Sequence, residues 1–254
     1  MPLMEANVNI LITAGGTQEE IDSVRSITNH STGQLGSIIA DTFAKGGATV
    51  TYVCGNAAQL PAEKGITIIR IKDTNSLMKQ LAKLLETHKY HSIIHAMAVS
   101  DFTPTATLNL DDIAQNILQT IESGTHTIQK IKNAITAAAK PLSENKISSC
   151  NPDLMLLLAP TPKIISQIKQ KQSGTILVGF KLLSGVTEDH LLSVATDLLH
   201  RNSCDYVLAN DQQGITCNHH KAILIDKAGI ISKAETKQEI ANLLLNTISE
   251  RVNQ

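Results

Sequence analysis

Short apolar runs alternate with stretches whose apolar positions recur every three or four residues, and this pattern holds toward both ends of the chain but lapses in its middle. Ile10 to Thr13 is the first run, and Gly15 and Gly16 end it. A run apolar at consecutive positions predicts a strand buried on both faces, as in parallel sheets. Ser31 or Thr32 then caps a predicted helix over about residues 33–44, with Leu35, Ile38, Ile39 and Phe43 on one face. Strands are predicted at residues 48–54, 66–71 and 92–98. Between the last two, a helix starts at Asp73 or Thr74 and carries Leu77, Leu81, Leu84 and Leu85.

The alternation resumes at residues 154–158, followed by a helix from Thr161-Pro162 through Ile165 and Ile168, Pro being well placed in a first helical turn. Strands at 175–180 and 205–209 bracket a helix over 187–200. A hairpin over 222–232 and a helix over 236–251 close the chain. Residues 105–144 are Thr-, Ala- and Gln-rich, with one candidate helix after Asp111. They read as an excursion, either a lid or an arm that grips a second subunit. The expectation is an α/β fold, a Rossmann-like three-layer sandwich with a mostly parallel central sheet and a flexible excursion or dimer arm around residues 105–145. Residues 1–254 are expected to form a single domain.

Composition narrows the function. With 22 Lys and Arg against 23 Asp and Glu, the net charge is −1, so no overall field favours nucleic acid or an acidic membrane. The chain has no Trp, three Tyr and three Phe, too few aromatics for a base-stacking surface. Four cysteines without a CxxC spacing argue against a disulfide framework or structural zinc and fit a reducing cytoplasm. No leader or membrane-spanning run is evident.

The candidate chemistry lies where strands end. Gly15-Gly16-Thr17 follows the first strand but lacks the GxGxxG spacing, and the second strand ends in Val53-Cys54-Gly55 without a ribose-binding acid. Both absences count against a nicotinamide-dependent reductase, which stays open as an alternative, as does a non-catalytic nucleotide sensor. Asn29-His30-Ser31-Thr32-Gly33 precedes a helix whose first amides are free donors for an anion. Ser31 is read as a helix cap, whereas Asn29 and Arg25 are read as functional because capping does not explain them. Asp101, just past a buried strand, can accept from a ribose hydroxyl, assist a metal, or cap a turn, and Asn210-Asp211 stands in the same relation to another strand. Lys146, at the end of the excursion, and Lys181, at a strand end, can offset phosphate charge. Cys217-x-His219-His220 lacks a fourth ligand and reads as an ordinary loop, and His95 reads as a core histidine.

Taken together, Thr13-Ala14-Gly15-Gly16-Thr17, Ile21-Asp22-Ser23-Val24-Arg25, Thr28-Asn29-His30-Ser31-Thr32-Gly33, Ala98-Val99-Ser100-Asp101-Phe102, Lys146-Ile147-Ser148-Ser149, Val178-Gly179-Phe180-Lys181 and Ala209-Asn210-Asp211 resemble phosphopantothenate-cysteine ligase, also called phosphopantothenoylcysteine synthetase. The resemblance is ordered, nearly full length and weakest over residues 105–144, and the chain looks like the free-standing bacterial form. It implies a ligase of coenzyme A synthesis: the carboxylate of 4'-phosphopantothenate attacks CTP, with Mg²⁺, to give an acyl cytidylate, and L-cysteine displaces CMP. ATP is the less favoured nucleotide, and a homodimer is implied. By position, Asn29 would hold the acyl nucleotidylate, Arg25 would support its loop or reach an anion, and Lys146 would neutralise the triphosphate. Asp101 would contact the ribose, and Phe180 with the Met97 to Val99 backbone would border the base. Mg²⁺ would be held mainly by the nucleotide phosphates. Two departures from fused members of the family stand out, Met97 where a small residue is usual and Ser148-Ser149 where more lysine is.

Overall fold

The computed structural model describes residues 8–124, 127–142, 145–148, 153–216 and 219–253. In chain order the elements begin with β1 (Asn9–Ala14), β2 (Gln18–Glu20), β3 (Ser26–Thr28), α1 (Gln34–Lys45), β4 (Thr49–Gly55), β5 (Thr67–Ile71), α2 (Thr74–Thr87) and β6 (Ser92–His95). They continue with β7 (Phe102–Asn109), α3 (Leu110–Glu122), α4 (Ile128–Ala137), β8 (Lys140–Pro141), β9 (Leu154–Pro160), α5 (Ile165–Lys171) and β10 (Ile176–Leu183). The last are α6 (Glu188–Arg201), β11 (Tyr206–Asp211), β12 (Ala222–Asp226), β13 (Gly229–Ala234) and α7 (Lys237–Val252). The chain divides into two compact units, one of residues 1–17, 29–99 and 163–254, the other of residues 18–28 and 100–162.

The first unit is built on an eight-stranded sheet of order β13-β12-β11-β10-β6-β1-β4-β5. The strands from β11 to β5 run parallel, and the hairpin of β12 and β13 adds an antiparallel edge. Strand alternation sends Ile10, Ile12, Ile94, Val178 and Leu208 to one face, where they meet Ile39 and Phe43 of α1 and Ile240 and Leu244 of α7. Leu11, Ile93, Leu177 and Val207 point the other way, onto Leu77 and Leu81 of α2, Ile168 of α5 and Leu199 of α6. Three layers and a mostly parallel sheet result, the architecture the apolar runs imply. Of the two starts offered for α2, Asp73 is the cap, accepting from Ser76 N in a reciprocal capping box; Thr187 and Thr236, read as first residues of their helices, are the caps of α6 and α7.

The second unit departs from the expected alternation. Residues 154–158 do not extend the parallel sheet; β9 pairs antiparallel with β7 in a three-stranded sheet of order β8-β7-β9. Its Leu154, Met155, Leu157 and Leu158 stay exposed, so an apolar run here does not signify a doubly covered strand. The excursion is structured: α3 begins where Asn109 accepts from Asp111 N, and Thr127 caps α4. Leu108, Ile113 and Ala138 form a small core beneath these helices. Helix α5 starts at Ile165 rather than at Thr161-Pro162, because Thr161 donates from N to Asp101 O at 3.0 Å and from Oγ1 to Ser100 O at 2.5 Å. Those bonds spend Thr161 on prolonging the β7 and β9 pairing.

Candidate functional site

In the first unit a cavity of about 740 Å³ opens beyond the carboxyl ends of β1, β6, β10 and β11, on the face covered by α1 and α7. Open parallel sheets bind ligands at this edge, where successive strands send their crossovers to opposite sides. Here β4 lies on one flank of β1 and β6 on the other. The floor is Ala14, Ala96, Met97 and Ala98, and Phe180 with Lys181 forms one wall.

The opposite wall is the start of α1. Its N-cap is Gly33, held left-handed at φ 72°, and no side chain caps the helix in the usual way. Ser31 therefore does not act as the expected cap; Thr32 Oγ1 accepts from Gln34 N at 3.3 Å instead. The amides of Leu35 and Gly36 belong to the first turn, whose donors have no carbonyl partner within the helix, and both residues line the cavity. The open amides of Leu35 and Gly36, lining one cavity with Lys181 and Lys237, suit an anion.

Gly15 and Gly16 govern where that helix can lie. Gly15 takes φ 78°, Ala98 N donates to Gly15 O at 2.8 Å, and Thr17 N donates to Ala98 O at 3.2 Å. The glycine turn and residues 96–98 thus prolong the pairing of β1 and β6 past the last regular ladder position, and β6 is shorter than predicted because this looser pairing replaces it. Asn29 ties the loop before α1 to the same segment, its Nδ2 donating to Val99 O at 3.2 Å.

Asn210 and Asp211 part company. Asn210 lines the cavity, whereas the Asp211 carboxylate turns to its own loop, accepting from Gly185 N, Val186 N and Gln213 N at 2.9–3.1 Å. These amides hold its carboxyl below the usual carboxylate range. The sequence reading missed His220, Lys237, Gln212 and Thr216 as cavity residues. Lys237 was legible only as the first residue of a helix, and His220 was set aside with Cys217, which lies outside the described residues. Among the described residues no cluster of three or more His, Cys, Asp or Glu is arranged to hold a metal.

Within the second unit, the loop after β2 is organised by Asp22, which is buried at 4% exposure. Its carboxylate accepts from Val24 N and Arg25 N at 3.0 and 2.9 Å, from Arg25 Nε at 3.0 Å and from Ile147 N at 3.0 Å. The Arg25 guanidinium, first among these partners, holds the Asp22 carboxyl far below the usual range. Arg25 also donates to Ile147 O at 2.8 Å, so Arg25 and Asp22 grip both peptide groups of Ile147, next to the exposed Lys146. Asp101 is exposed in the same unit and accepts through its main chain from Thr161.

His95 is a core residue, as read from sequence, with Thr13 Oγ1 at 2.8 Å from its Nδ1. Burial pushes His95 down to about 4, and burial with the nearby Lys237 charge pushes His220 down to about 4. A histidine harder to protonate when folded adds stability fully above its unfolded value near 6.5 and loses it as pH falls toward 4. We expect chemical denaturation between pH 7.5 and 4.5 to show stability declining steadily below pH 6.5, by up to ~3 kcal/mol for each histidine. A flat profile between pH 6.5 and 5 would contradict neutral burial of these rings.

Comparison with known proteins gives a consistent picture. The family described as DNA/pantothenate metabolism flavoprotein C-terminal domain matches residues 5–111 and 111–252. The chain is 30% identical over 243 residues to the coenzyme A biosynthesis bifunctional protein CoaBC of Thermococcus kodakarensis, covering 95% of this chain and 51% of that protein. It thus spans about half the length of the curated relatives it matches. A solved DNA/pantothenate metabolism flavoprotein from Streptococcus pneumoniae is 38% identical, with TM-score 0.81 and coverage of 96% of this chain and 99% of the other. A Cab2 histidine variant in complex with phosphopantothenate-cysteine shares the fold, with TM-score 0.69 at 16% identity and coverage of 97% and 87%.

Proposed function

Since this chain belongs to the DNA/pantothenate metabolism flavoprotein C-terminal domain family, we propose that it joins 4'-phosphopantothenate to L-cysteine in coenzyme A synthesis, using CTP with Mg²⁺. The observation that carries this reading is the cavity whose one wall is the uncapped start of α1 and whose other wall is Phe180 and Lys181. A carboxylate is a poor acylating group at neutral pH. Attack of its oxygen on the α-phosphorus of CTP breaks the bond to pyrophosphate and converts the carboxylate to an acyl cytidylate. The cysteine amine then attacks the acyl carbon, CMP leaves with the bonding electrons, and the amine loses a proton as the amide forms. No covalent protein intermediate is required.

The protein's part is to hold charge and exclude alternatives. First-turn amides of α1 with Ser31, Thr32 and Gly33, together with Lys181 and Lys237, would receive phosphate oxygens, worth more in a partly dry cavity than in water. Asn29, at the mouth of that loop, would donate to the oxygen that gains negative charge during acyl transfer. Phe180 and the 97–99 backbone would flank the base. Lys146 is proposed to neutralise the triphosphate, Asp101 to contact the ribose, and Arg25 to support the Lys146 segment through Asp22 and Ile147. With no carboxylate cage among the described residues, Mg²⁺ would ride on the triphosphate, where it withdraws charge from the leaving pyrophosphate.

The exposed Phe102, Leu154, Met155, Leu157 and Leu158 of β7 and β9 support the proposed homodimer, because apolar area of this kind is stabilised by a covering subunit. Among the described residues no helix is long and apolar enough to cross a membrane, and Cys54 and Cys204 are free thiols, which suits the proposed cytoplasmic setting. The test is pyrophosphate release by the purified protein with phosphopantothenate, cysteine and Mg²⁺, run side by side with CTP, ATP, UTP and GTP. We expect release with CTP well above the others, dependent on phosphopantothenate. Thermal stabilisation by NADPH without any response to CTP would overturn the reading.

A further inference from the structure

We propose that His220 is a positioning residue that locks the side-chain amide of Asn210, so that its Oδ1 meets the exocyclic amine of a nucleobase and rejects a carbonyl at that place. The inference rests on the reading of the cavity as a nucleotide site and names how that site chooses its base.

Asn210, one position before the end of the β11 ladder, pairs opposite Leu182, two positions beyond Phe180 on the same face of β10, so the two side chains serve one stretch of wall. Asn210 Nδ2 donates to His220 Nε2 at 3.1 Å in a buried contact. An amide nitrogen only donates, so that ring nitrogen accepts and the proton sits on Nδ1. No described residue donates to Asn210 Oδ1, which leaves the acceptor end of the amide to the cavity.

The lock is firm because the ring is. His220 is 6% exposed, its N donates to Glu235 O at 2.7 Å, and its neighbour His219 closes a turn with Thr216 through bonds of 2.8 and 3.1 Å. His220 Nδ1 is buried without a partner among the described residues. An unpaired buried donor is costly, so its retention needs a return elsewhere, and the arrangement that costs it is the one that turns Oδ1 toward the ligand. A protonated ring would donate from Nε2 and force the amide to turn over. Burial and the Lys237 charge keep the ring neutral down to about pH 4, so the acceptor persists throughout the physiological range.

Cytosine and uracil differ at C4, an amine in CTP and a carbonyl in UTP, and at the adjacent N3, an acceptor in CTP and an N–H donor in UTP; the C4 group is the one proposed to meet Asn210 Oδ1. A fixed Oδ1 accepts from the amine and faces the carbonyl lone pair to lone pair, leaving two acceptors desolvated without a donor. If the amide is free to rotate, it offers Nδ2 to the carbonyl and the penalty disappears. The prediction is therefore a change of preference and not simply a loss of rate.

The experiment compares kcat/KM for CTP and UTP, and thermal stabilisation by CMP and UMP, in the unaltered protein, His220→Phe and His220→Gln. Phe keeps the ring and removes the acceptor; Gln restores an acceptor oxygen. We expect the CTP to UTP ratio to fall at least tenfold in His220→Phe, with UTP improving relative to CTP, and to recover in His220→Gln. An unchanged ratio in both variants, or equal use of CTP and UTP by the unaltered protein, would overturn the inference while leaving the nucleotide site standing. Equal loss with both nucleotides in His220→Phe would also overturn it, marking His220 as structural only. Absence of stabilisation by any nucleotide in the unaltered protein would instead defeat the reading of the cavity itself.

Discussion

Asn29→Ala is expected to lower pyrophosphate release in the complete assay by about a hundredfold or more while leaving the melting temperature within about 2 °C of the unaltered protein. The two expectations come from different properties of the same side chain. Asn29 is exposed, so truncating it opens no cavity, and its bond to Val99 O at 3.2 Å joins two surface loops of one unit. That bond holds the Asn29 amide group beside the loop that runs through His30, Ser31 and Thr32, which line the cavity. A donor pre-aimed at an oxygen that becomes more negative in the transition state commonly contributes about 3–4 kcal/mol. Rate and calorimetric melting of the same preparation check both halves. Turnover within a few-fold of the unaltered enzyme would remove Asn29 from the chemistry.

Gly36→Val should produce the largest loss of stability, about 3 kcal/mol, seen as a melting temperature lower by roughly 6–12 °C. A Cβ at Gly36 would lie 2.4 Å from the Cβ of Ala14, far inside contact distance. Ala14 is 1% exposed at the end of β1, so the contact cannot be relieved by a side chain swinging into solvent. Helix α1 must instead lift from the sheet, parting Ile39 and Phe43 from Ile10 and Ile12. Since Gly36 also lines the cavity wall, the lift would withdraw the first-turn amides from the anion they are proposed to hold. The folded fraction of this variant should accordingly show a raised KM for the triphosphate. An unchanged melting temperature would mean that α1 does not pack on β1 at this distance.

Much of the first unit was legible before any coordinates, because its signals are local. A doubly apolar run such as Ile10 to Ile12, the helix start at Asp73, and the glycines after β1 each act within a few residues of chain. The motif residues were legible too, and the cavity gathers Ser31, Thr32, Gly33, Met97, Ala98, Phe180, Lys181 and Asn210. The misreadings share a cause. Residues 154–158 carry the composition of a core strand, yet β9 pairs with β7 some fifty positions away, and only that partner decides its sheet and its exposure. Ser31 looks like a cap, but the left-handed Gly33 sets the helix start and leaves the amides open.

The alternation of strands and helices along the first unit, the glycine turn after β1 and the presence of a helix start beside it were determined by the sequence alone, through periodicity and turn chemistry that operate within each segment. Tertiary structure alone decided that Asp22 and Arg25 grip Ile147 across 122 to 125 positions, that Asp211 faces its own loop, and that His220 holds Asn210 beside a cavity. The reason is physical: a helix or strand preference is stated by neighbours in the chain, whereas a hydrogen bond between distant side chains exists only after the packed sheet has brought their backbones to within reach.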